Sequence, residues 1–250
     1  MAAEERVAAG QAALNVLECP AAGSRVVGFA HAVDGGGFAT TEGEEVRLAG
    51  IVALGEGGIS PVPSLDAARD MFERVLRGRT VSLAAAERSR DRYGRTVAQV
   101  FADDIWVQRA LLQFGQARAA PDFASAPCAN ALLAAETEGR DLRRGLWRDG
   151  TFRVRRPEDL GNRIGSFQIV EGTVTTASLT RGRAFINFGA DYRTDFTVTI
   201  GPEDMRAFRQ AKFDVEALAG KRIRVRGWVE FYNGPEIAIA TPAAIELLER

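Results

Sequence analysis

Histidine is almost missing from this chain: His31 is the only one. One histidine is poor material for a Ser/His/Asp or Cys/His arrangement. On a strand it reads as a surface or packed residue rather than a base. Cysteine is scarce as well, with Cys19 and Cys128 alone, and their spacing excludes a zinc ribbon or other multi-cysteine centre. They form either one long-range disulfide, which implies export, or two separate thiols, and both readings stay open. Lysine occurs only at 212 and 221, so arginine carries nearly all the positive charge. The abundance of alanine and arginine reads as coding bias and carries no function.

A dominant charge is also lacking. The formal net charge is −1, so nothing draws the whole molecule toward nucleic acid or an acidic membrane. No run approaches the roughly 20 apolar residues that span a bilayer. The opening MAAEERVAAGQAALNVLECP has early acids and no apolar h-region, so it is not a signal peptide as given. Glu18 before Cys19 argues against a lipoprotein cleavage site. The expectation is a soluble chain, cytoplasmic by default, and periplasmic or exported if a signal has been trimmed. The glycines at 35–37 lack the Gly-Lys-Ser/Thr that would make a phosphate loop.

What is present is a core and a pattern. Apolar residues make up 46% of 250, which suits one large domain or two modest ones. Residues 1–24 read as a lead-in. RVVGFAHAV (25–33), FATTE (38–42) and EEVRLAGIV (44–52) read as strands, with turns at Asp34-Gly35-Gly36-Gly37 and Glu42-Gly43. GEGGISPVP (55–63) reads as a loop. Helical spacing of Leu65, Ala68, Phe72, Val75 and Leu76 predicts a helix over 64–78, with Ser64 as cap and Gly78 as stop. TVSLAAAE (80–87) and RTVAQVFA (95–102) are strands around the polar loop RSRDRYG (88–94). Helices follow over 104–115, with Trp106, Ala110, Leu111 and Phe114 inward, and over 127–147.

After an arginine-bearing linker, 149–163, the plan repeats. QIVEGTVTTAS, RAFINFG and DFTVTI read as strands. GPEDMRAFRQA reads as a helix with Pro202 at its start and acids in its first turn. KRIRVRGWVEF and EIAIA are two more strands. The expected fold class is a β-barrel with helices, an α+β arrangement, with domains at 25–148 and 164–250.

Three motifs carry a resemblance over residues 25–148. They are VRLAGI (46–51), DRYGR (91–95) and RRGLW (143–147), in this order and spacing. Together they resemble the staphylococcal nuclease family. The resemblance implies a first OB-fold barrel of that type, and the repeated order of three strands, a helix and two strands reads as a second OB-like five-stranded barrel. In that family Arg47 and Arg95 match the two arginines of the active site. Cleavage there uses calcium, a carboxylate base and those arginines, which neutralise charge growing on phosphorus.

The acidic half of that pattern is not found. The family's Asp-Gly-Asp triplet is Asp34-Gly35-Gly36 here, so Gly36 stands where a metal ligand belongs. Val52 replaces another metal carboxylate, and Gly55 replaces the base. A one-residue gap brings Glu56 near the base position, but nothing restores the metal ligand. Calcium wants about six to eight oxygens. No metal or other cofactor is therefore expected, and calcium enters only under the alternative below. Arg47, Tyr93 and Arg95 are then the remnant of a ligand site. The plainer readings stand beside this: Arg47 pairing with a nearby acid such as Glu44 or Glu45, and Tyr93-Gly94 forming a turn in which Tyr93 packs its ring.

In the second unit Arg183, Phe188, Tyr192, Arg224 and Tyr232 are candidate nucleic-acid contacts, because OB barrels bind single strands by stacking in basic grooves. Alternation in KRIRVRGWV puts Arg222, Arg224 and Arg226 on one face, which equally reads as a solvated barrel face. The functional expectation is a non-catalytic binding or scaffold module with a protein or nucleic-acid partner, or a subunit of a larger complex. The alternative is a calcium-dependent nuclease with a site rebuilt from Asp34, Glu56 and Asp66.

Overall fold

A computed structural model of the chain describes residues 19, 23–55, 62–121, 126–191 and 193–248. Glu56, Tyr192 and nearly all of the lead-in lie outside the described residues. The fold is a mixed α+β arrangement of strand-rich sheets of β-barrel type.

The first sheet uses β1 (Arg25–Val27), β2 (Phe29–Ala32), β3 (Gly37–Thr40), β4 (Glu45–Leu48), β6 (Val81–Arg90), β7 (Thr96–Ala102) and β8 (Ile105–Trp106). Its hydrogen-bonded path runs β1-β6-β7-β4-β3-β2, with β8 beside β7. The ends of this path are successive pieces of one stretch, split at Gly28. A Cβ at Gly28 would lie 2.0 Å from Thr41 Oγ1, and Gly28 O accepts from Thr41 N at 2.9 Å. The break is thus set by close approach of another segment. Strand β4 runs parallel to β7, which requires the crossover through α1 (Val62–Leu76).

The chain after β4 bends at Ala49-Gly50 into β5 (Ile51–Ala53), which pairs with β9 (Ala117–Ala119). Two helices, α2 (Val107–Gln113) and α3 (Ala126–Asp141), pack around this pair. Phe38, Phe72, Leu76, Leu111, Leu112 and Leu132 form the heart of the first core.

The second sheet repeats the connectivity. Its strands are β10 (Val154–Arg155), β11 (Phe167–Thr173), β12 (Thr176–Thr180), β13 (Arg183–Asn187), β14 (Thr197–Ile200), β15 (Arg222–Phe231), β16 (Pro235–Ala238) and β17 (Ile245–Leu247). The path is β10-β11-β15-β16-β14-β13-β12, with β17 beside β15. Here β14 runs parallel to β16, and α4 (Met205–Gln210) lies in the crossover. Ile186, Val198, Phe208, Ile223 and Val225 are buried at its centre. Among the described residues neither path closes as a hydrogen-bonded ring.

A third apolar cluster contains Val52, Leu54, Trp147 and Phe152 together with Phe167 and Ile169 of β11. It joins the second sheet to the small β5–β9 pair. Among the described residues no helix is long and apolar enough to cross a membrane.

Several boundaries differ from the sequence expectation. The first helix begins at Val62, so Ser64 lies inside it rather than capping it. Asp104–Trp106 is a turn and a short strand, not helix, and α2 ends at Gln113. Phe114, expected inward, is 58% exposed, because the chain turns at Gly115 with φ 67°. Helix α3 stops at Asp141, and RRGLW forms a 3-10 turn over Gly145–Trp147. Pro202 and its acids precede α4 rather than opening it.

Candidate functional site

Arg47 sits in β4 opposite Gly37 of β3. A Cβ at 37 would lie 3.0 Å from Arg47 Nη1, so the glycine leaves room for the guanidinium. The turn before β3 delivers its partner. Asp34 Oδ2 accepts from Arg47 Nη1 at 2.6 Å, while Asp34 Oδ1 accepts from Gly36 N at 2.8 Å. That turn is seated between β5 and α1: a Cβ on Gly35 would lie 3.3 Å from both Ala53 Cβ and Ala68 Cβ. The expected pairing of Arg47 with a nearby acid is present, but the acid is Asp34; Glu44 accepts from Arg25 Nη2 and Thr96 Oγ1, each at 2.6 Å.

The DRYGR loop holds the second arginine. Asp91 Oδ2 accepts from Arg95 Nε at 2.7 Å, and Asp91 Oδ1 accepts from the backbone N–H groups of Tyr93 and Arg95. Gly94 turns the loop with φ 80°. The Tyr93 ring does not pack inward; it is 70% exposed, with the Arg92 and Arg95 guanidinium carbons 5.2 and 5.1 Å from its centroid. This is a cation–π arrangement on the surface.

Electrostatics links the two pairs. Burial pushes the Arg47 guanidinium below its ordinary pKa, Asp34 opposes this, and Arg95 and Asp91 act on it with opposite signs. Burial would raise Asp91, but the bonds from Arg95 and the loop backbone outweigh it and hold the carboxyl below its ordinary value. The remnant therefore consists of two cations, each with its own carboxylate.

The positions that the resemblance assigns to calcium do not fit that ion. Gly36 offers no side-chain oxygen. Val52 is 5% exposed within the apolar cluster against Phe167. Asp66, on the exposed side of α1, lies 3.2 Å from Arg69. Among the described residues no group of three or more His, Cys, Asp or Glu side chains gathers as a metal site. Gly55 is exposed, and Glu56 lies outside the described residues. His31 is exposed on β2.

The second-unit candidates are not brought together as a set. Arg183 is exposed on β13. Phe188 stacks on Phe196 with centroids 5.0 Å apart, and it lines a recess of about 550 Å³ with Phe231. Tyr232 is exposed in the β15–β16 turn, where Tyr232 N bonds Gly234 O. Arg224 is engaged by Glu171 at 2.8 Å and Glu246 at 3.2 Å, so it belongs to a surface ion network.

The arginine face of β15 runs from solvent to core, with the side chains of Arg222, Arg224 and Arg226 61%, 14% and 1% exposed. Arg226 is buried and donates to Glu136 of α3 at 2.6 Å, with Glu246 on its other side. Burial works to lower its pKa, and the two carboxylates more than offset that. Glu136 Oε1 also accepts from Ala119 N at 2.8 Å. Arg118 of β9 lies over Phe152 and Phe167, and burial pushes its pKa down to about 10. Of these residues the sequence points to Arg226 alone, and not to Glu136 or Arg118. The available signal was Glu136 itself, a carboxylate flanked by Leu132 and Ala135 on the buried face of α3.

Cys19 and Cys128 form a disulfide that ties the lead-in to α3, with both residues buried.

No curated protein matches the chain. Residues 45–149 match the family model described as staphylococcal nuclease homologue, a span that contains Arg47, Val52 and the DRYGR loop. The chain thus carries a staphylococcal nuclease-like domain over those residues.

Proposed function

We propose that this chain is a non-catalytic member of the nuclease-like fold, serving as a binding or scaffold module for a protein or nucleic-acid partner. The observation that carries this is the fate of the acidic half of the site. Val52 stands at a metal-carboxylate position and is packed in apolar surroundings with Phe167. Asp34, the carboxylate that remains, has one oxygen on Arg47 and the other on Gly36 N. A carboxylate already held by a guanidinium and a backbone N–H is a poor donor to calcium, because binding the ion means giving up those bonds.

The same features explain what the remnant does. Two arginines neutralised by Asp34 and Asp91 hold the loops in place rather than drawing a phosphodiester into line. The units at 25–148 and 164–250 then present their outer surfaces to a partner, and the segment 149–163 connects them. A subunit role within a larger complex is the same proposal at a larger scale.

Calcium titration tests this reading. The melting temperature of the full chain is measured with and without millimolar calcium, with chelated protein as reference. A ligand that binds only the folded state raises the melting temperature. The proposal expects no shift. A calcium-dependent rise lost on changing Glu56→Gln would favour the rebuilt nuclease site instead.

A further inference from the structure

Arg153, Arg155 and Arg163 line one recess of about 450 Å³ beside the segment that connects the two sheets. The recess lies outside the Arg47–Arg95 remnant, and its reading stands independently of the function proposed above. Strand β10 sets Arg155 in register with Val170 of β11. The turn after Leu160, closed by the bond from Arg163 N to Leu160 O at 2.8 Å, brings Arg163 back alongside.

Two of the three guanidinium groups are tethered through their inner nitrogen. Arg155 Nε donates to Gln168 Oε1 at 2.8 Å, and Arg153 Nε donates to Gly150 O at 3.0 Å. Such tethers orient a guanidinium while its terminal nitrogens remain to meet a ligand. Arg163 Nε is buried without a hydrogen-bond partner. Buried donors left unsatisfied are rare in native proteins and call for an explanation.

Glu158 and Asp159 line the same recess, but neither supplies the missing partner. Asp159 Oδ2 accepts from Arg156 N, and Glu158 Oε1 lies 3.9 Å from Arg156 Nη1. Burial lowers the pKa of Arg155, Arg163 and Arg153 lower it further, and Asp159 opposes them least of all. Three guanidinium groups against two carboxylates in one lining leave it net positive, and the three cations repel one another. An anion of more than one charge relieves that repulsion.

We propose that this recess is an anion site for a doubly charged phosphoryl group, carried by a small phosphate ester or by the terminal phosphate of a nucleic acid. Guanidinium forks match phosphoryl oxygens two at a time, and a tetrahedral group offers oxygens in several directions to several forks. A single carboxylate would satisfy one fork and leave the others facing each other.

The test is isothermal titration of the full chain with inorganic phosphate at low ionic strength. The parent, Arg155→Gln/Arg163→Gln and the exposed-site variant Arg153→Gln are compared, with Arg209→Gln on α4 as control. Phosphate is expected to bind the parent and the control alike. Binding should weaken about tenfold or more in Arg153→Gln and be lost in the double variant, in line with the worth of a charge-assisted contact. Circular dichroism of Arg153→Gln guards against loss of fold. A second arm compares a short single-stranded oligonucleotide with and without a 5′-phosphate. Tighter binding of the phosphorylated form assigns the source to nucleic-acid ends, and equal binding of the two assigns it to small esters. No phosphate binding to the parent, or binding unchanged in the variants, overturns the proposal.

Discussion

Arg47 Nη1 lies 2.6 Å from Asp34 Oδ2, so a cation of the nuclease-type site is neutralised by the first residue of the turn that should have begun the metal site. Removing the carboxylate by Asp34→Ala leaves Arg47 in a largely buried place without this partner. The pair is only part-buried, with Asp34 29% exposed, so the loss should cost about 1–3 kcal/mol. Urea unfolding of the variant should give a lower midpoint with an unchanged slope. Sulfate should restore part of the loss, because the anion substitutes for the missing carboxylate. A variant as stable as the parent would show that the pair does not hold the turn.

Arg226 and Glu136 make a second buried pair, with side chains 1% and 0% exposed. It spans 90 residues of sequence and connects β15 to α3. Arg226→Ala should destabilise the chain by about 3 kcal/mol, since the buried Glu136 then loses its closest counter-charge and keeps only Ala119 N and the more distant Arg140. Replacing both, as Arg226→Met with Glu136→Leu, should recover much of that. The double-variant cycle, read by urea unfolding, isolates the coupling between them.

The Cys19–Cys128 disulfide closes a long loop, with a sequence separation of 109. In the chain-entropy account a loop of that length stabilises by up to about 4.7 kcal/mol, and removal of native bridges commonly costs about 2–5 kcal/mol. Cys19→Ser/Cys128→Ser should lower the melting temperature clearly. Reductant should lower that of the parent to match and leave the variant unchanged. A reductant-insensitive parent would contradict the bridge.

The strands and the crossover plan were legible because alternation, turn residues and helical spacing are local signals. Gly28 was not, because what breaks the strand there is Thr41, which approaches from another segment. Arg47 was recognised, but its partner was not. Strand register puts Gly37 opposite Arg47 and so brings in Asp34, while Glu44 is taken by Arg25 and Thr96. Alternation placed Arg226 on the right face of β15 and said nothing of what covers that face. The cover is α3 with Glu136, a relation between distant segments that no local pattern encodes. Phe114 failed for a smaller reason: the helix stops one residue earlier, so the ring leaves the inward stripe. The arginine recess around 153–163 went unread because a linker was expected there. β10 instead adds to the second sheet.

The central claim is loss of the metal-dependent phosphodiesterase site. Its most direct test is cleavage of single-stranded DNA and RNA by the full chain, with and without millimolar calcium, beside the double variant Arg47→Ala/Arg95→Ala. Groups that act as a unit in catalysis lose many orders of magnitude when several are missing. The account predicts no calcium-dependent cleavage by either protein. Calcium-dependent cleavage by the parent that disappears in the double variant would contradict it.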